Sequence, residues 1–329
     1  MEGARFSLRD MEAASKIRYA APMKNAGEQG GAKAISVRFF APPDDLAPCF
    51  TTFYRMEVRL PPGKTLSDLL QPEWANLRFF KDNPPVAKPL LGGDPVSSRF
   101  QATGPSSHPT SFEIGSTTMW GIGLLPLGWA RFVQMPADGF ADTICDGEHS
   151  EAFAKFLPLL DIVDAPGMSP EEEFTAITWF FRELAPMPKD AERILQVHEA
   201  MIDPFLLEVG ALADMVGLTK RTLERLCARH FGFPPRLLLR RQRMMRSLAA
   251  FMLSDSQNWS ETIDRHYHDQ AHFVHEFHNF MGMSPSQYAQ RPHPVLEAFM
   301  TERQRVWGSP VQTLDAPRHG TLDEDRESD

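Results

Sequence analysis

The sequence has few of the residues that cross-link or anchor a chain. Its 329 residues include three cysteines, Cys49, Cys145 and Cys227, which are widely separated and form no CxxC pair. This excludes a disulfide framework and a zinc ribbon and favours a reducing compartment. The sequence contains no run of eighteen apolar residues, so it predicts no membrane span. The start of the chain, 1–20, contains three acids and no signal-peptide apolar core. We therefore expect a cytoplasmic protein.

Positive charge is also scarce. The chain has 34 Lys and Arg against 43 Asp and Glu, a net charge of −9. Residues 208–291 reverse this balance, with 11 basic against 8 acidic residues. This distribution excludes a protein that coats nucleic acid along its whole surface, and it fits one in which a single segment meets phosphate. Because the basic excess is small, we expect modest, salt-sensitive non-specific binding.

The first half of the chain reads as short strands. Proline and glycine clusters separate stretches rich in β-branched and aromatic residues over 34–147, namely ISVRFF, FTTFYRMEVRL, NLRFF, SFEIG and MWGIGLL. The pattern predicts a small all-β domain, an antiparallel sandwich or barrel. Residues 1–33 show no such pattern, and we expect them to be disordered.

Several features of this β domain resemble chemical motifs. Gly121, Gly123 and Gly128 form GxGxxxxG, but no Lys-Ser/Thr follows, so a strand and a tight turn are favoured over a phosphate loop. His108 and His149 are too far apart to predict a metal site, and we expect no cofactor. Seven aromatic residues either fill the core or line a ligand cavity. They are Phe53, Tyr54, Trp74, Phe79, Phe80, Trp120 and Trp129.

Residues 148–204 predict a helical connector. Ser169 followed by Pro170 and three glutamates is a strong helix start, because it combines an N-cap, an N1 proline and acids suited to the helix dipole. The apolar stripe of this helix comprises Phe174, Ile177, Phe180, Phe181 and Leu184. It either packs within the chain, which we favour, or forms a dimer surface.

The segment 209–232 has the pattern of a helix-turn-helix. Leu212, Ala213 and Val216 share one face of a first helix, and Gly217 suits a sharp turn of positive φ. Thr219 is a good N-cap for the second helix. The inward residues of that helix leave a basic and polar outer face, as a helix in the major groove requires. An ordinary helical hairpin with a solvated charged face is the alternative.

A second, looser copy lies about fifty residues downstream, at 259–288. Both copies end alike, with HFGFPPRLLL at 230–239 and NFMGMSPSQY at 279–288, so that a glycine precedes a proline that opens the next helix. Residues 236–253 lie between the copies and contain no glycine or proline. They predict one long helix that joins the two helix-turn-helix units, called the reading units below.

With these motifs, residues 205–291 resemble the DNA-binding domain of the AraC/XylS family of transcriptional regulators, most specifically in DQAHFVHEFHNFMGMSPSQY. The resemblance implies an α+β protein, in which an antiparallel β sandwich or cupin-like barrel precedes a helical connector and an all-α double helix-turn-helix domain. It implies a cytoplasmic transcription regulator, such as an activator, with double-stranded DNA as its partner. RNA polymerase, a small-molecule effector and a second copy of the chain are further partners that the family allows.

The resemblance also implies which side chains meet DNA. The outer residues of the first recognition helix would read bases, namely Arg221, Glu224 and Arg225. The corresponding positions of the second unit are Gln270, Ala271 and His275. Residues that contact phosphate position a protein without specifying sequence, and this role would fall to Lys220, Arg229, Arg240 and Arg243.

The second unit departs from the family pattern at three positions. His266 replaces the usual turn glycine, Thr262 the usual small residue of the preceding helix, and His275 the usual arginine of the recognition helix. A histidine with positive φ would be uncommon, and a neutral histidine lacks the permanent charge of an arginine. We therefore expect the first unit to carry most of the sequence discrimination.

Five histidines lie within residues 266–278, and some share a helix face. They lack an evident third ligand, so packing or groove-facing roles are favoured over a zinc site. Beyond Arg291, the polar and acidic tail, 292–329, is expected to be unfolded.

Two readings from other classes stay open. The first is a DNA-targeted enzyme with its active site in the β domain; its nucleophile would be Cys49, although no histidine base follows that residue. The second is a protein-interaction module in which the helix-turn-helix pair is structural. The DNA-binding regulator is the reading that we favour.

Overall fold

The computed structural model describes residues 34–254, 259–307 and 311–316. The expectation of disorder for residues 1–33 lies outside the described residues, as does that for 317–329. Among the described helices, none combines the length and the apolar character that crossing a bilayer requires.

In the described residues, nine strands form two antiparallel sheets. They are β1 (Ile35–Phe40), β2 (Phe50–Val58), β3 (Leu66–Leu70), β4 (Ala75–Phe80), β5 (Val86–Pro89), β6 (Phe100–Thr103), β7 (Thr110–Ile114), β8 (Thr117–Leu124) and β9 (Ile144–Asp146). The larger sheet has the order β1-β2-β8-β4-β6-β9, and the smaller one has the order β3-β7-β5. The predicted antiparallel β architecture is therefore confirmed. Neither sheet closes on itself among the described strands, so the barrel alternative is not realised.

The two faces of the larger sheet bury different sets of side chains. Leu77 and Trp120 face the helices, whereas Tyr54, Phe80 and Met119 face the smaller sheet. Every residue of β4 is buried because both of its faces are covered. The glycine motif takes the predicted form, since Gly121 and Gly123 lie in strand β8 and Gly128 lies in the turn Pro126–Gly128.

Three helices cover the outer face of the larger sheet: α1 (Pro158–Asp164), α2 (Pro170–Leu184) and α3 (Ala191–Ile202). Ser169 forms the predicted cap of α2, with a reciprocal capping box to Glu172. Phe181 is fully buried against Phe50 and Phe132, and Phe174 stacks on Phe40. The apolar stripe of α2 thus packs within the chain, as favoured from the sequence.

Six helices lie in the part of the C-terminal half that the structure describes: α4 (Val209–Met215), α5 (Lys220–Phe231), α6 (Pro235–Leu253), α7 (Gln270–Met281), α8 (Pro285–Ala289) and α9 (Pro294–Trp307). Short 3-10 turns occur at Ala47–Cys49, Ala137–Phe140, Ala154–Phe156, Trp259–Glu261 and Gln312–Leu314, and a π turn occurs at Trp129–Val133. Helices α4 and α5 share one hydrophobic core with the β sheet, whereas α7 and α8 pack mainly on α6 in a second core.

Helix α9 corrects the expectation of an unfolded tail. Asp68 of β3 accepts hydrogen bonds from the backbone amides of Val295 and Leu296 at 2.9 and 2.8 Å and so caps the helix. Phe299 packs edge-on against Phe39 and Tyr54. The apolar face of α9 is interrupted by charges in sequence, and only its contact with the sandwich makes the helix stable.

A buried arginine joins the long helix α6 to the β domain. Arg241 is fully buried, its guanidinium lies 4.2 Å from the centre of the Trp74 ring, and its Nη1 donates to the Ser106 carbonyl at 2.8 Å. Burial lowers the pKa of Arg241 to about 9, an effect that the carboxylate of Asp142 opposes. His198 of α3 packs edge-on against the same Trp74 ring.

This buried site predicts a pH dependence of stability. Burial, together with the charge of Arg241, lowers the pKa of His198 from 6.5 to about 3. Between these values the unfolded chain binds a proton that the folded protein excludes, so stability is complete above pH 6.5 and falls as the pH decreases. Burial also lowers the pKa of His230 to about 4, which adds in the same direction.

We expect His198→Phe to reduce the loss of unfolding free energy between about pH 7 and about pH 5, measured by urea denaturation. The exposed His278 provides a control, because His278→Phe removes a histidine from the surface and should change the pH dependence far less than His198→Phe. An identical pH dependence in His198→Phe and the parent protein would contradict the assignment.

Candidate nucleic-acid interface

The first helix-turn-helix unit has the predicted geometry. Helices α4 and α5 meet at Gly217, whose φ is +63°, and the amide of Leu218 donates to the Ala213 carbonyl at 2.9 Å. The hydroxyl of Thr219 accepts from the backbone amide of Thr222 at 3.2 Å, which caps α5. The positive φ suits glycine, and the cap fixes where the recognition helix begins.

Helix α5 has one apolar face and one charged face. Leu223, Cys227 and Phe231 are fully buried and form the inner side of the helix. The opposite face exposes the residues that the sequence assigned to DNA, namely Lys220, Arg221, Glu224, Arg225 and Arg229. Within the described part of the chain, none of these five forms an ion pair, so their charged groups face solvent.

The recognition helix of the second unit, α7, begins at a second side-chain cap. Asp269 accepts from the backbone amide of His272 at 2.7 Å. Gln270, Ala271 and His275 are all exposed. The His275 ring also lies 3.2 Å from the amide nitrogen of Asn279. The outer face of α7 thus carries polar groups but less charge than that of α5.

The helix that precedes α7 is reduced in the described residues to the 3-10 turn Trp259–Glu261. His266 does not adopt a positive φ, so the turn does not need the glycine that is usual there. Asp264 instead holds the turn, because it accepts from the His266 amide at 2.9 Å and from Nε of Arg246 at 2.6 Å. This polar clamp anchors the turn to α6.

Glu276 is the centre of a buried polar cluster between α6 and α7. Its side chain is 2% exposed and accepts from Arg240 at 3.0 Å, from Arg243 at 2.9 Å and from the hydroxyl of Tyr267 at 2.9 Å. Burial opposes ionisation of Glu276, but the hydrogen bonds from the two arginines outweigh it and lower the pKa of the carboxyl.

This cluster affects two of the predicted phosphate contacts. The Arg243 side chain is only 14% exposed and is bonded to both oxygens of Glu276. We therefore assign it to the junction of α6 and α7 and not to an exposed cationic surface. Arg240 is 40% exposed and also lies over the Phe280 ring. It can present part of its guanidinium to solvent while it pairs with Glu276.

Both recognition helices end against loops of the β domain. Gly232 ends α5 with φ +82°, and Gly282 ends α7 with φ +68°. A Cβ at Gly232 would lie 3.0 Å from Pro105, and one at Gly282 would lie 3.2 Å from Leu90. Nδ1 of His108 lies 3.0 Å from the Phe280 carbonyl at the end of α7. The β domain is therefore in direct contact with both reading units.

The clustered histidines pair with side chains of their own segment. His266 lies beside Asp264, His268 beside Asp269, and His272 lies 3.8 Å from Glu276. Across the residues that the structure describes, no three His, Cys, Asp or Glu side chains are arranged to hold a metal ion.

The cysteine on which an enzymatic reading depends is inaccessible. Cys49 is fully buried, and burial raises the pKa of its thiol to about 11, although Arg131 opposes the shift. A nucleophilic cysteine requires a low pKa and contact with solvent. The structure gives Cys49 neither.

We expect Cys49 and the buried Cys227 to resist iodoacetamide in the folded protein near neutral pH and to react after unfolding in urea, as measured by peptide mass spectrometry. Burial raises the thiol pKa of both residues. Rapid labelling of native Cys49 would restore the enzymatic alternative.

Three comparisons with known proteins bear on the domain. A family model described as a helix-turn-helix domain matches residues 212–291. No curated protein matches the chain significantly. Among solved structures, ToxT from Vibrio cholerae is similar to this chain at 10% identity and a TM-score of 0.41, over 78% of this chain and 98% of ToxT. The AraC-like transcriptional activator CuxR is similar at 11% identity and a TM-score of 0.26, over 66% and 87%.

The matched segment defines the class of protein. Residues 212–291 contain both capped recognition helices and the long helix between them, and they are a helix-turn-helix DNA-binding domain. The domain is of the AraC type, which confirms the resemblance read from the sequence. The chain thus carries a helix-turn-helix domain that follows a β-rich N-terminal region.

Some residues that organise this interface were missed in the sequence. None of Glu276, Arg241, Leu90 and Pro105 was singled out from the sequence. The signal available for Glu276 was its spacing, since Phe273, Glu276, Phe277 and Phe280 share a helical face. A carboxylate within such an apolar face requires a buried partner.

The Glu276 cluster generates a stability prediction. Glu276→Ala leaves two arginines without their buried counter-ion, and we expect a loss of about 3 kcal/mol in the free energy of unfolding. Glu224→Ala, on the exposed face of α5, should change stability by less than about 0.5 kcal/mol. Urea denaturation measures both variants. A Glu276→Ala variant as stable as Glu224→Ala would show that the cluster contributes little.

Proposed function

We propose that this chain is a DNA-binding transcription regulator that reads two successive major grooves of one duplex, with α5 in the first groove and α7 in the next. The observation that carries the proposal is the exposed face of α5, which holds four basic side chains and one acid with no intramolecular ion pair among the described residues. Unpaired guanidinium groups at the start of a rigid, capped helix suit base edges and phosphates.

The reading roles follow from hydrogen-bonding geometry. Arg221 and Arg225 can each donate two hydrogen bonds to guanine, and Glu224 can accept from cytosine. In the second unit, Gln270 suits adenine, and Ala271 and His275 offer weaker contacts. We therefore assign most of the discrimination to the first unit. Lys220, Arg229 and the half-exposed Arg240 would bind phosphate, whereas Arg243 serves the junction with Glu276.

We further propose that the β domain modulates DNA binding through its contacts with the two helix ends. Pro105 lies against Gly232, and Leu90 and Leu91 lie against Gly282, so a shift of these loops would change the positions of α5 and α7. A small-molecule effector, a second copy of the chain or RNA polymerase could act on this arrangement. Cytoplasmic location follows from the proposed role.

The assignment of Arg225 is tested with sites selected from random DNA. We expect Arg225→Ala to reduce the preference for a selected site over a scrambled one by about 1–3 kcal/mol, because a bidentate contact to one base is lost. Arg229→Ala is the matched control. It removes a predicted phosphate contact and should weaken both complexes to the same extent.

Fluorescence anisotropy at several salt concentrations gives both affinities. If Arg225→Ala keeps the parent preference, Arg225 does not read a base. If neither duplex binds with any dependence on salt, the helix-turn-helix pair is a structural module and the proposal fails.

A further inference from the structure

A cavity of about 110 Å³ lies between the two sheets, beneath α9. Its walls are largely apolar and include Met56, Phe80, Ile114 and Met119 from the strands and Phe299 from α9. Of the seven aromatics considered from the sequence, Tyr54 and Phe80 line it, whereas the other five belong to the core. An apolar cavity of this order accommodates a ligand of about the size of benzene.

One polar cluster in the wall is internally neutral. Arg78 donates from one nitrogen to both oxygens of Glu73 at 2.8 Å, and its other nitrogens reach Thr103 at 3.1 Å and Tyr54 at 3.2 Å. The guanidinium is therefore matched by a buried carboxylate, and each of its three nitrogens has a hydrogen-bond partner. This cluster offers no free charge to a ligand.

The second arginine of the wall, Arg303 on α9, differs. Its side chain is 3% exposed, and Nη2 pairs with Asp315. Its Nε and Nη1 have no hydrogen-bond partner among the residues described. A buried guanidinium nitrogen without an acceptor is costly, and a guanidinium fork can hold two carboxylates at once. The fold thus leaves charged donors at the cavity unsatisfied.

A second orphan group lies at the same cavity. The amide nitrogen of Gln71 donates to the Tyr288 hydroxyl at 3.1 Å and contacts the sulfur of Met300 at 3.9 Å, while Oε1 of Gln71 has no partner within the described residues. Met300 and Arg303 are one helical turn apart on α9. The orphan polar atoms therefore gather at one end of an otherwise apolar space.

We propose that this cavity binds a small carboxylic acid with a compact apolar body, with the carboxylate on Arg303 and the body between the sheets. The inference names a ligand class for the effector role proposed above and rests on that role. The ligand would be held by α9, which begins three residues beyond the helix-turn-helix domain and covers the sandwich. Ordered water is the competing occupant and is an outcome of the test.

Binding is measured by calorimetry on the full chain without DNA, with three compounds of one shape. Cyclopropanecarboxylate carries a negative charge, cyclopropylmethanol none, and cyclopropylmethylamine a positive charge, and each is no larger than benzene in heavy atoms. We expect the carboxylate to bind at least about tenfold more tightly than the alcohol, and the amine to bind most weakly, because charge-assisted hydrogen bonds exceed neutral ones. The order of the three affinities is measured on the parent protein alone.

Two variants test whether Arg303 is the residue that causes the preference for the carboxylate. Arg303→Gln should remove the preference for the carboxylate over the alcohol while the alcohol still binds. Arg305→Gln makes the same change two residues along α9 on an exposed side chain, and it should bind like the parent protein. Thermal melting of each variant confirms that it is folded, and the charge series on the parent protein decides the matter if Arg303→Gln does not fold.

Equal affinity for the carboxylate and the alcohol, or an unchanged preference in Arg303→Gln, would overturn the proposal. Binding of none of the three compounds would show a hydrated cavity and would overturn it as well. Each of these results leaves the DNA-reading proposal intact, because that proposal is judged by DNA affinity alone.

Discussion

The arrangement of the molecule depends on the burial of one guanidinium, that of Arg241. Helix α6 joins both reading units, and this side chain fixes the middle of the helix to the β domain through the Trp74 ring and the Ser106 carbonyl. Burying a cation is expensive, and few acceptors repay it here, since Nε and Nη2 of Arg241 have no partner among the described residues. The packing of the large apolar core around the site must offset this cost. Burial, together with the charge of Arg241, also keeps His198 beside it neutral.

The two reading units are attached to this frame differently. The core of the first unit is continuous with that of the sheet, so α5 is positioned by hydrophobic packing. The second unit packs mainly on α6 and adds the polar clamps of Glu276 and Asp264, each of which uses arginines of α6. Hydrogen-bonded ion pairs are more directional than apolar contacts. We therefore interpret these clamps as compensation for the short 3-10 turn that stands where a full helix would support α7.

Much of the fold was predictable where local signals agree with packing. The strand pattern at Ile35–Phe40, the cap at Ser169 and the turn glycine Gly217 each express a backbone preference that the tertiary structure reinforces. The exposed faces of α5 and α7 follow from the same helical periodicity. Helix α9 was missed because charged residues interrupt its apolar face in sequence and its cap, Asp68, lies more than two hundred residues away. The burial of Arg243 and Arg303 was missed because a charged side chain is expected to be exposed to solvent.

The sequence by itself determined most of the elements, the AraC-type DNA-binding segment and the side chains on its outer faces, because helical spacing, caps and turn residues act over a few neighbouring positions. Tertiary structure alone decided which charges face inward, where the cavity lies and how the β domain meets both recognition helices. Such contacts join residues far apart in the chain. The free energy of a charged side chain depends strongly on its burial, and the residue type alone does not reveal that burial.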